Sequence, residues 1–173
     1  MTGSISQMQM VYVPEEDRIL FRVNSTDKKE FRFWVTRRYA MLLAKVLMDH
    51  KASDPDVSRQ ATMEGKKAVQ EFKKEKAIGE ASFGQKFEDA DNQYPLGESI
   101  QLAFQLTYNI KENGSLHLSI RPKTGQGINV VINRDINITL TQLLLSAAKN
   151  GDWKLDEWIA NNPVKQVGKV VIN

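Results

Sequence analysis

Alternation of apolar and polar side chains marks two stretches of this chain as β-sheet, and a 3.6-residue apolar period follows each. Ile19, Phe21 and Val23 alternate with Arg18, Leu20 and Arg22; after the polar turn Ser25 to Lys29, Phe31, Phe33 and Val35 alternate with Glu30, Arg32 and Trp34. That pattern is what strands with one buried face require. Gln7 to Val13 alternates more weakly and supplies a first strand, closed by the turn Pro14-Glu15-Glu16-Asp17. Keeping the apolar faces together demands pairing of like parity, which sets Arg22 opposite Arg32 and Leu20 opposite Trp34. Thr36 then offers a hydroxyl to cap a helix over Arg37 to His50, with Ala40, Leu43, Ala44 and Leu47 at core spacing.

The second stretch repeats the layout. Leu102, Phe104, Leu106, Tyr108 and Ile110 predict one face of a strand, and Leu116, Leu118 and Ile120 one face of the next. A two-residue Asn-Gly turn would set Ile110 against His117. A three-residue loop, Glu112-Asn113-Gly114 with Gly114 left-handed, pairs Ile110 with Leu116 and Tyr108 with Leu118 instead. The connection Lys123 to Gly127 leads into a strand, Ile128 to Ile132, and so reads as a turn rather than a phosphate loop. Arg134 to Ile138 suggests a further short strand. Thr139-Leu140-Thr141-Gln142 reads as a capping box for a helix to about Asn150, ended by Gly151.

Between the halves, Asp54 as cap and Pro55 in the first turn predict one long helix to about Ile78. Its apolar stripe, Val57, Ala61, Ala68 and Phe72, is narrow and the rest is a solvated mixture of Lys and Glu. Such a stripe suits an antiparallel partner helix, either the preceding one or one from another subunit. In the tail, Trp153, Leu155, Trp158 and Ile159 predict a short amphipathic helix before Pro163. The β-prone end Lys169 to Ile172 either completes this sheet or adds to a neighbour's edge. The expected fold is therefore α+β: two antiparallel β-meanders each followed by a helix, with a long charged central helix packed on one compact domain. The related halves span about 8–50 and 100–150, the central helix about 55–78, and the tail 152–173.

Composition removes several chemistries. The chain has no cysteine and only two histidines, His50 and His117, so thiolate, disulfide and Cys-ligated metal chemistry are excluded. His50 reads as a helix-terminal cation or a solvated residue, and His117 as a solvated strand residue. Glu88, Asp89 and Asp91 lack the remaining ligands and turn glycine of a calcium loop. Neither a nucleophile elbow nor a dinucleotide fingerprint is present. The expectation is a non-enzyme without cofactor or metal. No stretch of ~18 apolar residues suggests a membrane span, and the N-terminus lacks the pattern of a signal peptide. The Asn-x-Ser/Thr triplets at Asn24, Asn113 and Asn137 matter only in a secreted setting, and a cytoplasmic location is expected.

Net charge is +3, so its distribution matters more than its sum. The outer face of the first hairpin carries Arg18, Arg22, Arg32, Leu20 and Trp34. Arg37 and Arg38 sit in the first helical turn, where the helix dipole disfavours cations by about 0.3–1 kcal/mol each. Arginines that neutralise phosphates beside an indole that stacks on bases suit a single nucleic-acid strand. Otherwise helices cover this face, or Arg22 and Arg32 pair with acids such as Glu30 or Glu98. The order of elements over about residues 8–150 resembles the Whirly, PUR and PC4-like single-strand nucleic-acid binders, whose curved antiparallel sheets carry basic and aromatic residues and whose helices mediate pairing. That resemblance implies Arg18, Arg22, Arg32, Trp34, Arg37 and Arg38 as binding residues. The first expectation, however, is a non-catalytic protein-interaction or assembly module that self-associates, with Trp153, Trp158, Val170 and Ile172 as partner-binding candidates. Single-strand nucleic-acid binding is the alternative.

Overall fold

The alternating segments fold as strands and the periodic ones as helices. The computed structural model describes residues 3–80, 87–89, 92–163 and 171–172. In chain order these form β1 (Ile5–Val13), β2 (Arg18–Ser25), β3 (Glu30–Val35), α1 (Arg37–Ala52), α2 (Pro55–Ser58), α3 (Met63–Glu80), β4 (Gln101–Leu102), β5 (Gln105–Ile110), β6 (Leu116–Arg121), β7 (Ile128–Ile132), α4 (Arg134–Asn150), α5 (Leu155–Asn161) and β8 (Val171–Ile172). The protein is α+β, with two four-stranded sheets ordered β1-β2-β3-β4 and β7-β6-β5-β8.

Parity decides the register. Arg22 pairs with Arg32 and Leu20 with Trp34, so Ile19, Phe21 and Val23 share an inward face with Phe33 and Val35. The second sheet follows the same logic: Ile110 faces Leu116 and Tyr108 faces Leu118. Gly114 makes this possible, because its φ of +79° is a left-handed conformation that a side chain would resist. One cluster of buried side chains draws on both sheets and on α1, α4 and α5. The halves interlock, since α1 touches α4 and also β5, while α4 reaches back to β1.

Four elements differ from the sequence expectation. Gln101–Leu102 does not continue the next strand; it pairs in parallel with β3, Phe33 beside Gln101 and Trp34 beside Leu102. The chain then crosses to the second sheet, so the alternation shifts: Ala103 is buried while Leu102 and Phe104 are exposed. The central helix is two helices. Asp54 caps α2 as expected, but a second cap follows, with the Thr62 hydroxyl accepting from the Gly65 N–H. The stripe also rotates. Lys73 reaches back to Asp54 and Asp56 at 2.5 and 2.8 Å, which turns Lys73 and Ala77 inward and leaves Phe72 exposed.

The fourth difference is the start of α4. Arg134 to Ile138 is helix, capped by the Asn133 side chain accepting from the Ile136 N–H at 2.8 Å. Thr139 lies inside the helix and donates back to the Asp135 carbonyl. Asn133→Ala is expected to cost about 1 kcal/mol, whereas Thr139→Ala should leave stability nearly unchanged; chemical denaturation of both variants checks this.

His50 is neither terminal cation nor solvated; it is fully buried. It follows Leu47 on the inward face of α1, where its ring bridges two other elements. Nε2 lies 2.8 Å from the Gly114 carbonyl and Nδ1 lies 2.9 Å from the Asn137 amide nitrogen. The amide nitrogen can only donate, so Nδ1 accepts and Nε2–H donates to the Gly114 carbonyl, which describes a neutral imidazole. Burial holds its pKa below the ordinary value and the Arg134 charge adds to this, against the Gly114 hydrogen bond and Asp54. The Arg134 guanidinium in turn donates to the His50 carbonyl. Helix α1, helix α4 and the β5–β6 hairpin tip are thereby tied at one point.

Candidate assembly interface

The outer face of the first sheet is built by the odd–even alternation that builds the core. With Ile19, Phe21 and Val23 turned inward, Arg18, Leu20, Arg22 and Asn24 must turn outward. Register then extends the face to its neighbours. Val11 lies opposite Leu20, Leu20 opposite Trp34, and Trp34 beside Leu102. Four apolar residues thus form one row across four strands. Val11 is 43% exposed and Leu102 40%, while Leu20 and Trp34 are half-buried between them. Phe104, two residues beyond Leu102, is also 40% exposed.

Below this row the face is polar and already occupied. Arg22 donates to Glu30 at 2.7 Å and to Asp89 at 2.5 Å, and its guanidinium stacks on the Phe87 ring at 4.2 Å. Burial works against that charge, but the two carboxylates outweigh it and raise the Arg22 pKa above its ordinary value. Glu30 is itself only 2% exposed and also accepts from Asn92. Arg32 lies over the Tyr94 ring at 4.0 Å and donates to the Glu98 carbonyl at 2.5 Å. Gln93 pairs with Lys29 in a parallel bridge, so this connection runs beside β3 toward β4.

The sequence-predicted residues therefore separate into three groups. Arg22, Arg32 and Trp34 do share one face, but both arginines are engaged by the chain's own acids, carbonyls and rings. Arg18 lies 3.7 Å from Glu16 at the upper end. Arg37 and Arg38 are exposed at that same end, since α1 starts directly after β3. Thr36 caps this helix by accepting from the Tyr39 N–H, and no acid lies in its first turn.

No protein-family model, curated protein or solved structure matches this chain.

The tail candidates lie elsewhere. Trp153 is 4% exposed and meets the Tyr12 ring edge-on at 5.8 Å, so its indole belongs to the core and offers no open surface. Trp158 is half-buried and packs against that core. The backbone of Ile172 pairs with Leu106, so β8 adds to this chain's own second sheet. Val170 lies outside the described residues. His117 is exposed on the polar side of β6. Among the described residues no group of three or more acids or histidines is placed to hold a metal, and no helix is long and apolar enough to cross a membrane.

Val11 and Leu102 are the members of the row that sequence reasoning missed. Val11 sits in the weakly alternating first strand, and Leu102 joins the sheet through a parallel pairing with a strand far away in sequence. The one usable signal was Leu20 paired with Trp34 on a face that an ordinary solvated strand fills with polar residues.

Proposed function

We propose that this protein is a non-catalytic assembly module that self-associates through the outer face of its first sheet. The observation that carries this reading is the continuous apolar row Val11–Leu20–Trp34–Leu102, exposed at its two edges among the described residues, where the face below it is closed by ion pairs and rings. Contiguous exposed apolar surface rimmed by charge is the usual mark of a protein-binding surface. Water ordered over these four side chains is released when a second apolar surface covers them.

A nucleic-acid strand would need the arginines of the face as phosphate partners. Arg22 and Arg32 are committed to Glu30, Asp89 and the Glu98 carbonyl, which favours the protein partner. Size sets the expected strength. Three strands of about six residues at the usual spacing, with the two-residue β4 beside them, give roughly 300 Å² per copy, below the ~800 Å² of a typical stable complex. Association is therefore reversible and concentration-dependent.

Sedimentation velocity over a micromolar to millimolar series tests this reading, with a parallel anisotropy titration of labelled single-stranded DNA and RNA. The reading expects a rising sedimentation coefficient and weak, non-saturating oligonucleotide binding. A monomer at all concentrations, or saturable oligonucleotide binding that falls steeply with salt, overturns it.

A further inference from the structure

Resting on that assembly reading, we infer that two copies meet about a twofold axis parallel to the strands, running between β2 and β3. A closed dimer uses the same patch on both copies, so the patch must be complementary to itself under its symmetry operation. Rotation about this axis reverses the order of the strands while keeping their ends together. The row β1-β2-β3-β4 then lies over its own reverse: Val11 covers the partner's Leu102, and Leu20 covers the partner's Trp34. The most exposed residues at each edge cover each other, and a branched aliphatic side chain meets the indole at the centre.

Charge supports the same axis independently. The turn between β1 and β2 carries exposed Glu15, Glu16 and Asp17, with Asp17 held by the Tyr12 hydroxyl at 2.8 Å. The start of α1, with exposed Arg37 and Arg38, lies at the same end of the sheet but on its other side, after β3. Reversing left and right lays the acidic turn of each copy over the basic helix start of the other, twice per dimer. An axis across the strands would instead carry the acidic turn to the opposite end of the partner's sheet, away from Arg37 and Arg38.

Charge reversal and mixing test the arrangement. One variant carries Arg37→Glu and Arg38→Glu, the other Glu15→Lys and Glu16→Lys; all four positions are exposed. Each variant alone sets like charges together twice and is expected to self-associate at least about tenfold more weakly than the wild type. Mixed in equal amounts, they restore both opposite-charge contacts and should associate about as well as the wild type. Circular dichroism of each confirms the fold, and acids at the start of α1 favour that helix. Variants that associate like the wild type, or a mixture that fails to recover, overturn this geometry while leaving assembly through the apolar row standing. A wild type that remains monomeric overturns the assembly reading itself, and the geometry with it.

Discussion

Trp34→Glu is expected to abolish self-association while leaving the fold intact. The indole sits at the centre of the apolar row, between Leu20 and Leu102 on its neighbouring strands. In the dimer the new carboxylate enters a dry contact twice, once from each copy, with no cation in the row to pair with it. Burying an unpaired charge costs several kcal/mol, and the lost indole removes a large share of the apolar contact. A combined loss of about 3 kcal/mol or more corresponds to at least a hundredfold weaker association. The monomer tolerates the change because the side chain points outward, away from Phe33 and Val35. Leu102→Lys gives a second reading of the same effect: its side chain is 40% exposed in the single chain, so monomer stability should stay within about 0.5 kcal/mol. Sedimentation of both variants beside the wild type gives the result. Unchanged association of either, with unchanged circular dichroism, counts against the row as the interface.

His50→Ala should be among the most destabilising single changes in the chain. The ring is fully buried and both of its nitrogens are engaged, so its loss leaves a cavity and strands the Gly114 carbonyl and the Asn137 amide. Cavity and unmade hydrogen bonds together are worth about 3 kcal/mol or more, and a chain of this length loses roughly 10 °C in Tm. His50→Gln keeps an amide donor for Gly114 and should recover part of the loss. The pH dependence has a definite sign. Burial lowers the folded pKa of His50 below the unfolded value of about 6.5, so the unfolded chain takes up the proton first. The stabilisation from neutral His50 is complete above about pH 6.5 and is lost as pH falls from there toward the folded pKa. Asp49 has the opposite sign. Burial raises its pKa, against the Tyr108 hydrogen bond and Lys45, so its contribution grows as pH falls. Subtracting the His50→Gln profile from the wild type cancels Asp49 and isolates the histidine. Parallel pH profiles of the two proteins would show that the ring is not held neutral.

The features legible in the sequence were local ones, where one physical rule acts over a few residues. Parity alone sets Leu20 against Trp34 and Arg22 against Arg32, because a slip by one residue would expose Ile19, Phe21 and Val23. Gly114 marks a three-residue loop because few other residues accept its conformation. Thr36 and Asp54 mark helix starts because their oxygens satisfy N–H groups that nothing else reaches. The features that were not legible depend on partners distant in sequence. Ile136 and Ile138 alternate like a strand, yet Asn133 caps a helix there because Asn137 must reach the Leu47 carbonyl and His50. Lys73 reads as one more solvated cation until Asp54 and Asp56 are seen beside it. Trp153 reads as a surface anchor until Tyr12, from the first strand, closes over it. The candidate site was half legible for the same reason: its centre, Leu20 and Trp34, comes from one hairpin, while its edges, Val11 and Leu102, come from strands that parity cannot place.

The absence of cysteine from the chain permits the most direct test of the interface. Leu102→Cys places a single thiol in the row, and Val131→Cys places one on the outer side of β7, where Val131 is 55% exposed. The rate of modification by a maleimide is measured for each variant across the concentration range in which sedimentation shows association. Assembly through the first sheet predicts that the thiol at position 102 becomes progressively protected while the one at 131 reacts at a constant rate. A constant rate at position 102 while the protein demonstrably associates would contradict the account and place the interface on another face.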